Sequence, residues 1–104
     1  MIRYGFVMQL KGEDAIREYE RLHREIGEDV LAAHRRSGIR NYSIFRDGVQ
    51  LFACFEADDP EASIERLARE PIMKEWWAKT NPLMEVDSTG MPRIRRLPEV
   101  FHLD

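Results

Sequence analysis

Tyr19 and His23 stand four positions apart in a stretch of helical periodicity, so their side chains leave one face of one helix. Ile16, Ile26 and Val30 fall on the same stripe, which turns that face toward a core rather than toward water. An imidazole, with an ordinary pKa of about 6.5, gives or takes a proton near neutrality. His23 is therefore a candidate acid–base group; a core histidine satisfied by a carbonyl is the alternative reading of the same spacing. Trp76 and Trp77 form a second cluster, with Lys79 and Asn81 just behind them. Neighbouring helical residues point about 100° apart, so the two indoles cannot fill one spot. An indole has a flat apolar face and a single N–H, which suits a ligand carrying both C–H faces and hydroxyls. The same pair also reads as core or subunit-contact aromatics. Tyr42, beside Asn41 at the start of an extended run, offers a phenol to a hydroxyl or is an ordinary strand aromatic.

Other candidates are weaker. His34 lies eleven residues after His23, close to three turns, but Arg35 and Arg36 follow it and the prediction is a helix surface. His102 is read as structural or pocket-lining. No HxxxH, CxxC or carboxylate cluster points to a metal, and no glycine-rich phosphate loop or dinucleotide fingerprint points to a nucleotide. Nucleophile motifs of the G-x-S-x-G or Cys/His kind are missing too.

These residues need a scaffold, and 104 residues predict a single domain spanning 1–104. Hydrophobic residues at 43% and charged residues at 34% suit a soluble globular chain. The net charge is -3, with both signs interleaved and no basic arm, which argues against a nucleic-acid partner. The single cysteine, Cys54, sits in an apolar run and predicts a buried thiol in a reducing compartment. The opening residues read as a strand rather than a signal peptide, and no apolar stretch is long enough for a bilayer. A cytoplasmic location and no membrane partner are expected.

Ile2, Tyr4, Phe6, Met8 and Leu10 alternate along a first strand, with Val7 on its other face. A helical pattern runs from Glu13 to about Ser37, with Gly27 marking a kink or break and Ser37-Gly38 closing it. Strands at 41–45 and 49–56 flank Asp47-Gly48, a hairpin signal. Asp59-Pro60 opens a helix to about Arg69, and Pro71 opens another that Asn81-Pro82 ends. Residues 85–96 read as a loop and 100–103 as a final strand. The order is the βαββαβ, ferredoxin-like α+β arrangement, with helices on one face of an antiparallel sheet. Strand Leu51–Phe55 is apolar on both sides, so the bare face calls for a second copy of the chain, a homodimer.

Taken together, the opening Met1-Ile2-Arg3 with Phe6-Val7-Met8-Gln9, then Glu18-Tyr19-x-x-x-His23, Ser37-Gly38-x-x-Asn41-Tyr42-Ser43-Ile44, Trp76-Trp77 and the closing Pro98-Glu99-Val100-Phe101-His102-Leu103 resemble the L-rhamnose mutarotase family over nearly the whole chain. The resemblance implies a dimeric α+β barrel and an isomerase that interconverts the α and β anomers of L-rhamnose or a similar monosaccharide. The family's general acid would fall on His23, and its sugar contacts on Tyr19, Tyr42, Trp76 and Trp77. Anomer exchange opens the hemiacetal ring, turns the C1 aldehyde and recloses it, so no cofactor or metal is expected. One departure stands out: members usually carry an aromatic and a proline soon after the histidine, where this chain has Ile26-Gly27-Glu28-Asp29. Two other readings suit the same fold: a cofactor-independent or haem-degrading monooxygenase, and a non-catalytic sugar-binding dimer module.

Overall fold

Two central strands organise the chain. In the computed structural model, which describes residues 1–104, β1 (Ile2–Gln9) and β3 (Gln50–Ala57) pair antiparallel along their full lengths, from Ile2 opposite Ala57 to Gln9 opposite Gln50. Side chains alternate across a strand, so Tyr4, Phe6 and Met8 share one face with Phe55, Ala53 and Leu51, while Gly5, Val7 and Gln9 share the other with Cys54, Phe52 and Gln50. β2 (Arg40–Asp47) adds on the β3 side and β4 (Arg95–Leu97) on the β1 side, giving the order β2-β3-β1-β4. All pairings are antiparallel. This is the ferredoxin-like α+β arrangement that the order of elements predicts.

Four helices supply the second layer: α1 (Ile16–Arg24), α2 (Glu28–Arg36), α3 (Pro60–Ala68) and α4 (Pro71–Thr80), with short 3-10 turns at Glu13–Ala15 and Asn81–Leu83. α3 starts where expected, with the Asp59 side chain accepting from the Ala62 N–H at 3.2 Å and Pro60 in the first turn. The core lies between the layers. It joins Phe6, Met8, Leu10, Leu51, Ala53 and Phe55 of the sheet side to Tyr19, Leu22, Val30, Ala33, Leu67, Met73 and Trp76 of the helices. The other sheet face carries no helix, and Phe45 there is 68% exposed.

Gly27 breaks the predicted long helix in two. Its φ of 88° and ψ of 147° belong to a region that side chains avoid, so the backbone turns there and α2 starts in a new direction. The end of the chain departs from expectation more plainly. The last strand is Arg95–Leu97, inside the predicted loop, and residues 98–104 form no strand. Leu97 lies opposite Gly5, and Pro98 then has no N–H with which to extend the ladder. Val100, Phe101 and Leu103 are left exposed, so their alternation does not mark a paired strand. The loop itself is tied down by a Val86–Pro92 bridge.

The backbone account of Gly27 has a direct test. A Cβ at Gly27 would meet nothing within 4 Å, so any loss in Gly27→Ala comes from the backbone angle alone. We expect that variant to lose about 1–3 kcal/mol in urea denaturation; unchanged stability would show that the break does not depend on glycine.

Candidate functional site

The helix layer brings four of the five expected site residues into one neighbourhood. α1 carries Tyr19, which is buried, and His23, one turn further and half-buried, with ring centroids 4.3 Å apart. From α4, Trp76 meets His23 edge-on with centroids at 5.1 Å. From β2, Tyr42 leans over the sheet-side aromatics, 5.5 Å from Phe55 and 6.4 Å from Phe6. Trp77 is the fifth. It is half-buried against the core and makes no ring contact with His23, so the 100° step between the neighbouring indoles separates their surroundings.

The setting of Tyr42 is unusual for a strand. The register between β2 and β3 shifts between Arg40 and Ser43, and Asn41 has a φ of +49°. Arg40 lies opposite Glu56 and Ser43 opposite Cys54, so two residues of β2 span the single position of Phe55. Such a bulge re-aims a side chain, here Tyr42 toward the helices. The Asn41 amide donates to the Glu56 carboxylate and so helps to hold the irregular turn of chain.

His23 is held by its own helix. Its Nδ1 lies 2.8 Å from the Tyr19 carbonyl. A carbonyl only accepts, so Nδ1 carries the hydrogen and Nε2 presents a lone pair in the neutral ring. Burial lowers the pKa of His23 from its ordinary value, opposed by that backbone bond and reinforced by His34. The ring is therefore neutral at pH 7, able to accept a proton before returning it. Burial acts oppositely on the phenols: Tyr19, almost fully buried, rises well above the usual phenol range, and Tyr42, packed against aromatic rings though 38% exposed, is raised as well. Both remain protonated donors at neutral pH.

His34 corrects the sequence reading, which placed it at the helix surface. It is half-buried, its ring lies 5.7 Å from that of Tyr42, and its Nδ1 lies 2.8 Å from the Val30 carbonyl. The physical reason is its spacing from Val30 and Ala33, the buried face of α2. Arg35 and Arg36 point elsewhere, to Glu28 and Glu70. The signal was present as the i, i+4 relation to Val30 and was outweighed by the flanking charges. His102 lies instead on the exposed C-terminal segment, bonded to Asp104 at 2.8 Å.

A notch of about 290 Å³ opens beside Trp76, between α4 and the junction of α1 with α2. Its walls include Ile26, Gly27, Asp29, Glu75 and Lys79. That is near the lower end of small-molecule pockets, which begin at roughly 300 Å³. Of the five expected site residues only Trp76 lines it, so the notch borders the aromatic cluster at that indole rather than enclosing it. No group of three His, Cys, Asp or Glu side chains is placed to hold a metal ion.

The burial of two neutral imidazoles sets the sign of the acid response. Both folded-state values lie below the ordinary value of about 6.5, so the unfolded chain binds more protons as the pH falls past it. We expect stability to be full above that value and to fall toward about pH 5, with a flatter profile in a His23→Gln/His34→Gln double variant. Equal urea midpoints for the unaltered protein at both ends of that range would contradict the buried neutral rings.

Comparisons with known proteins agree with this fold. A family model described as L-rhamnose mutarotase matches residues 3–103. The L-rhamnose mutarotase of Lactiplantibacillus plantarum is 40% identical, covering 100% of both chains. That of Oceanobacillus iheyensis is 38% identical with the same coverage. The crystal structure of an L-rhamnose mutarotase from Formosa agariphila superposes with a TM-score of 0.84 at 26% identity, covering 100% of each chain. A dimeric ferredoxin-like protein from an uncultured marine organism, TM-score 0.65 and 13% identical, covers 98% of this chain and 97% of its own and shares the fold.

Proposed function

The chain belongs to the L-rhamnose mutarotase family, and from that premise we propose that His23, Tyr19, Tyr42 and Trp76 form the site where it exchanges the anomers of L-rhamnose or a closely similar aldose. The observation that carries this reading is the neutral, carbonyl-anchored His23 packed between Tyr19 and the edge of Trp76. Ring opening needs a base at the anomeric hydroxyl and a proton at the ring oxygen; closure on the other face reverses both transfers. Nε2 of His23 takes and returns one of these protons. The protonated phenols of Tyr19 and Tyr42 hold sugar hydroxyls as donors, and Trp76 offers an apolar face to the C–H side of the ring. Trp77 contributes to the pocket wall in this proposal, one position further round α4. Because Gly27 leaves the wall beside Trp76 open, the exact aldose is where this chain is expected to differ from its relatives.

No helix is long and apolar enough to cross a membrane, and with one free cysteine, Cys54, the proposed location is the cytoplasm. We further propose a homodimer joined through the bare sheet face. Phe45, 68% exposed, and Phe52, cross-strand neighbours, crown that face beside Val7, and a groove floored by Gly5 and Cys54 runs to Leu97 and Pro98. Phe52→Asp should give monomers in sedimentation velocity if two such faces meet; a variant still dimeric would place the seam elsewhere.

Exchange of magnetisation between the α- and β-anomeric protons of L-rhamnose measures the activity directly. His23→Gln should lose about 10²-fold or more of the catalysed rate, with far-ultraviolet circular dichroism unchanged. A folded His23→Gln protein of full activity would remove His23 from the mechanism, and an inactive unaltered protein on a panel of aldoses would remove the function.

A further inference from the structure

The proposed reaction needs two proton-transfer groups, and His23 supplies one. The helix layer contains a second imidazole presented in the same way. His34 on α2 donates Nδ1–H to the Val30 carbonyl at 2.8 Å, as His23 on α1 donates to the Tyr19 carbonyl at 2.8 Å. In each ring the tautomer is fixed by a group four residues back, and Nε2 is left without a protein partner. The two rings flank one packed core, in which Tyr19 and Trp76 join Phe6 and Phe55. His23 touches Tyr19 and Trp76, while His34 touches Tyr42, whose ring reaches Phe6 and Phe55 on the sheet. Charge on His34 also opposes protonation of His23.

We propose that His34 is the second proton-transfer group, working through Nε2 opposite His23 across the sugar ring. This rests on the reading of the cluster as an aldose site. Opening then proceeds with the pair holding one proton. The neutral ring takes the proton of O1–H as O1–C1 becomes a carbonyl. The C1–O5 bond breaks with its electron pair passing to O5, which takes a proton from Nε2–H of the other, protonated ring. After rotation about C1–C2, O5 attacks the opposite face of C1 and gives its proton back to the second ring, while O1 recovers its own from the first. The pair ends with the single proton it began with.

The surroundings favour that singly protonated form as the pH falls below neutrality. Protonating one ring makes the second harder to protonate, which separates the two steps. The other titratable groups facing the pair, Tyr19 on α1 and Tyr42 on β2, stay neutral, and Arg35 and Arg36 beside His34 are engaged with Glu28 and Glu70 on the exterior.

The test is anomeric exchange NMR on L-rhamnose from about pH 5 to 8, comparing the unaltered protein with His34→Gln. The unaltered protein should show a two-limbed profile of kcat, rising below neutrality and falling once both rings are charged. His34→Gln should lose about 10²-fold in kcat with little change in KM, and its profile should keep one limb only. Full kcat in a folded His34→Gln protein, or a rise in KM alone, would make His34 a packing or binding residue and overturn the proposal. A single-limbed profile in the unaltered protein would overturn it without any variant, should His34→Gln fail to fold. An unaltered protein that exchanges rhamnose while His34→Gln is equally active sinks only the role of His34; no exchange at all sinks the aldose site and this role with it.

Discussion

The ladder between β1 and β3 is the constraint on which the rest depends. Once Tyr4 is fixed opposite Phe55 and Phe6 opposite Ala53, a one-residue slip would move the whole apolar set to the wrong face. The register therefore decides which side chains meet the helices and which are left bare. It places Phe6 and Phe55 under Tyr42, and so sets the floor of the aromatic cluster. It also places Phe52 on the uncovered face, next to Phe45 of β2. The same alternation that builds the site thus creates the surface that calls for cover.

Burial in the helix layer then gives the residues their chemistry. Removing water disfavours charge on any group, so the same environment lowers imidazole values and raises phenol values. At neutral pH this yields lone pairs on histidines and hydrogens on tyrosines, the complementary set for a ligand made of hydroxyls. Exposed ion pairs, such as Arg21 with Glu18 and Glu25, lie outside the layer and decorate the helix surface with little energetic weight. What holds the imidazoles is local: each uses the carbonyl of the preceding turn, a bond that needs only an intact helix. The site is preorganised by secondary structure more than by distant contacts.

Periodicity made the element order, the one-sided helix layer and the Tyr19–His23 pairing legible, because each depends on spacing within a single element. The residues misread are those whose fate depends on another element. The charges of Arg35 and Arg36 predict a surface position for His34, yet a helix turns by about 100° per residue, so those neighbours say little about where His34 points. Val30, four residues earlier and buried, was the better guide. The final strand lies elsewhere than its pattern predicts, because Val100, Phe101 and Leu103 look like a strand while Arg95-Arg96-Leu97 does not. What selects β4 is the free edge of β1, and a strand that offers Arg96 to the ring of Tyr4 at 4.0 Å needs no apolar alternation of its own. Trp76 and Trp77 could not be ranked from sequence, since the phase of their helix is set by how α4 docks.

The Gly27 break ties these threads together. A continuous helix from Glu13 to Ser37 would run straight along one axis at about 1.5 Å per residue, carrying its far end away from the core beneath it. Eleven residues are close to three turns, so His23 and His34 would share a face even of one straight helix; the break at Gly27 gives α1 and α2 separate axes while both rings stay half-buried. Glycine is suited to that corner for two reasons that act together: it tolerates a φ of 88°, and it places no side chain in the opening beside Trp76. A bulky residue there would meet both a backbone penalty and the mouth of the notch. Gly27 thus bears on both the direction of α2, which carries His34, and the openness of the notch beside Trp76. A substitution at this corner would act on the ring that α2 carries and on the notch beside Trp76 together.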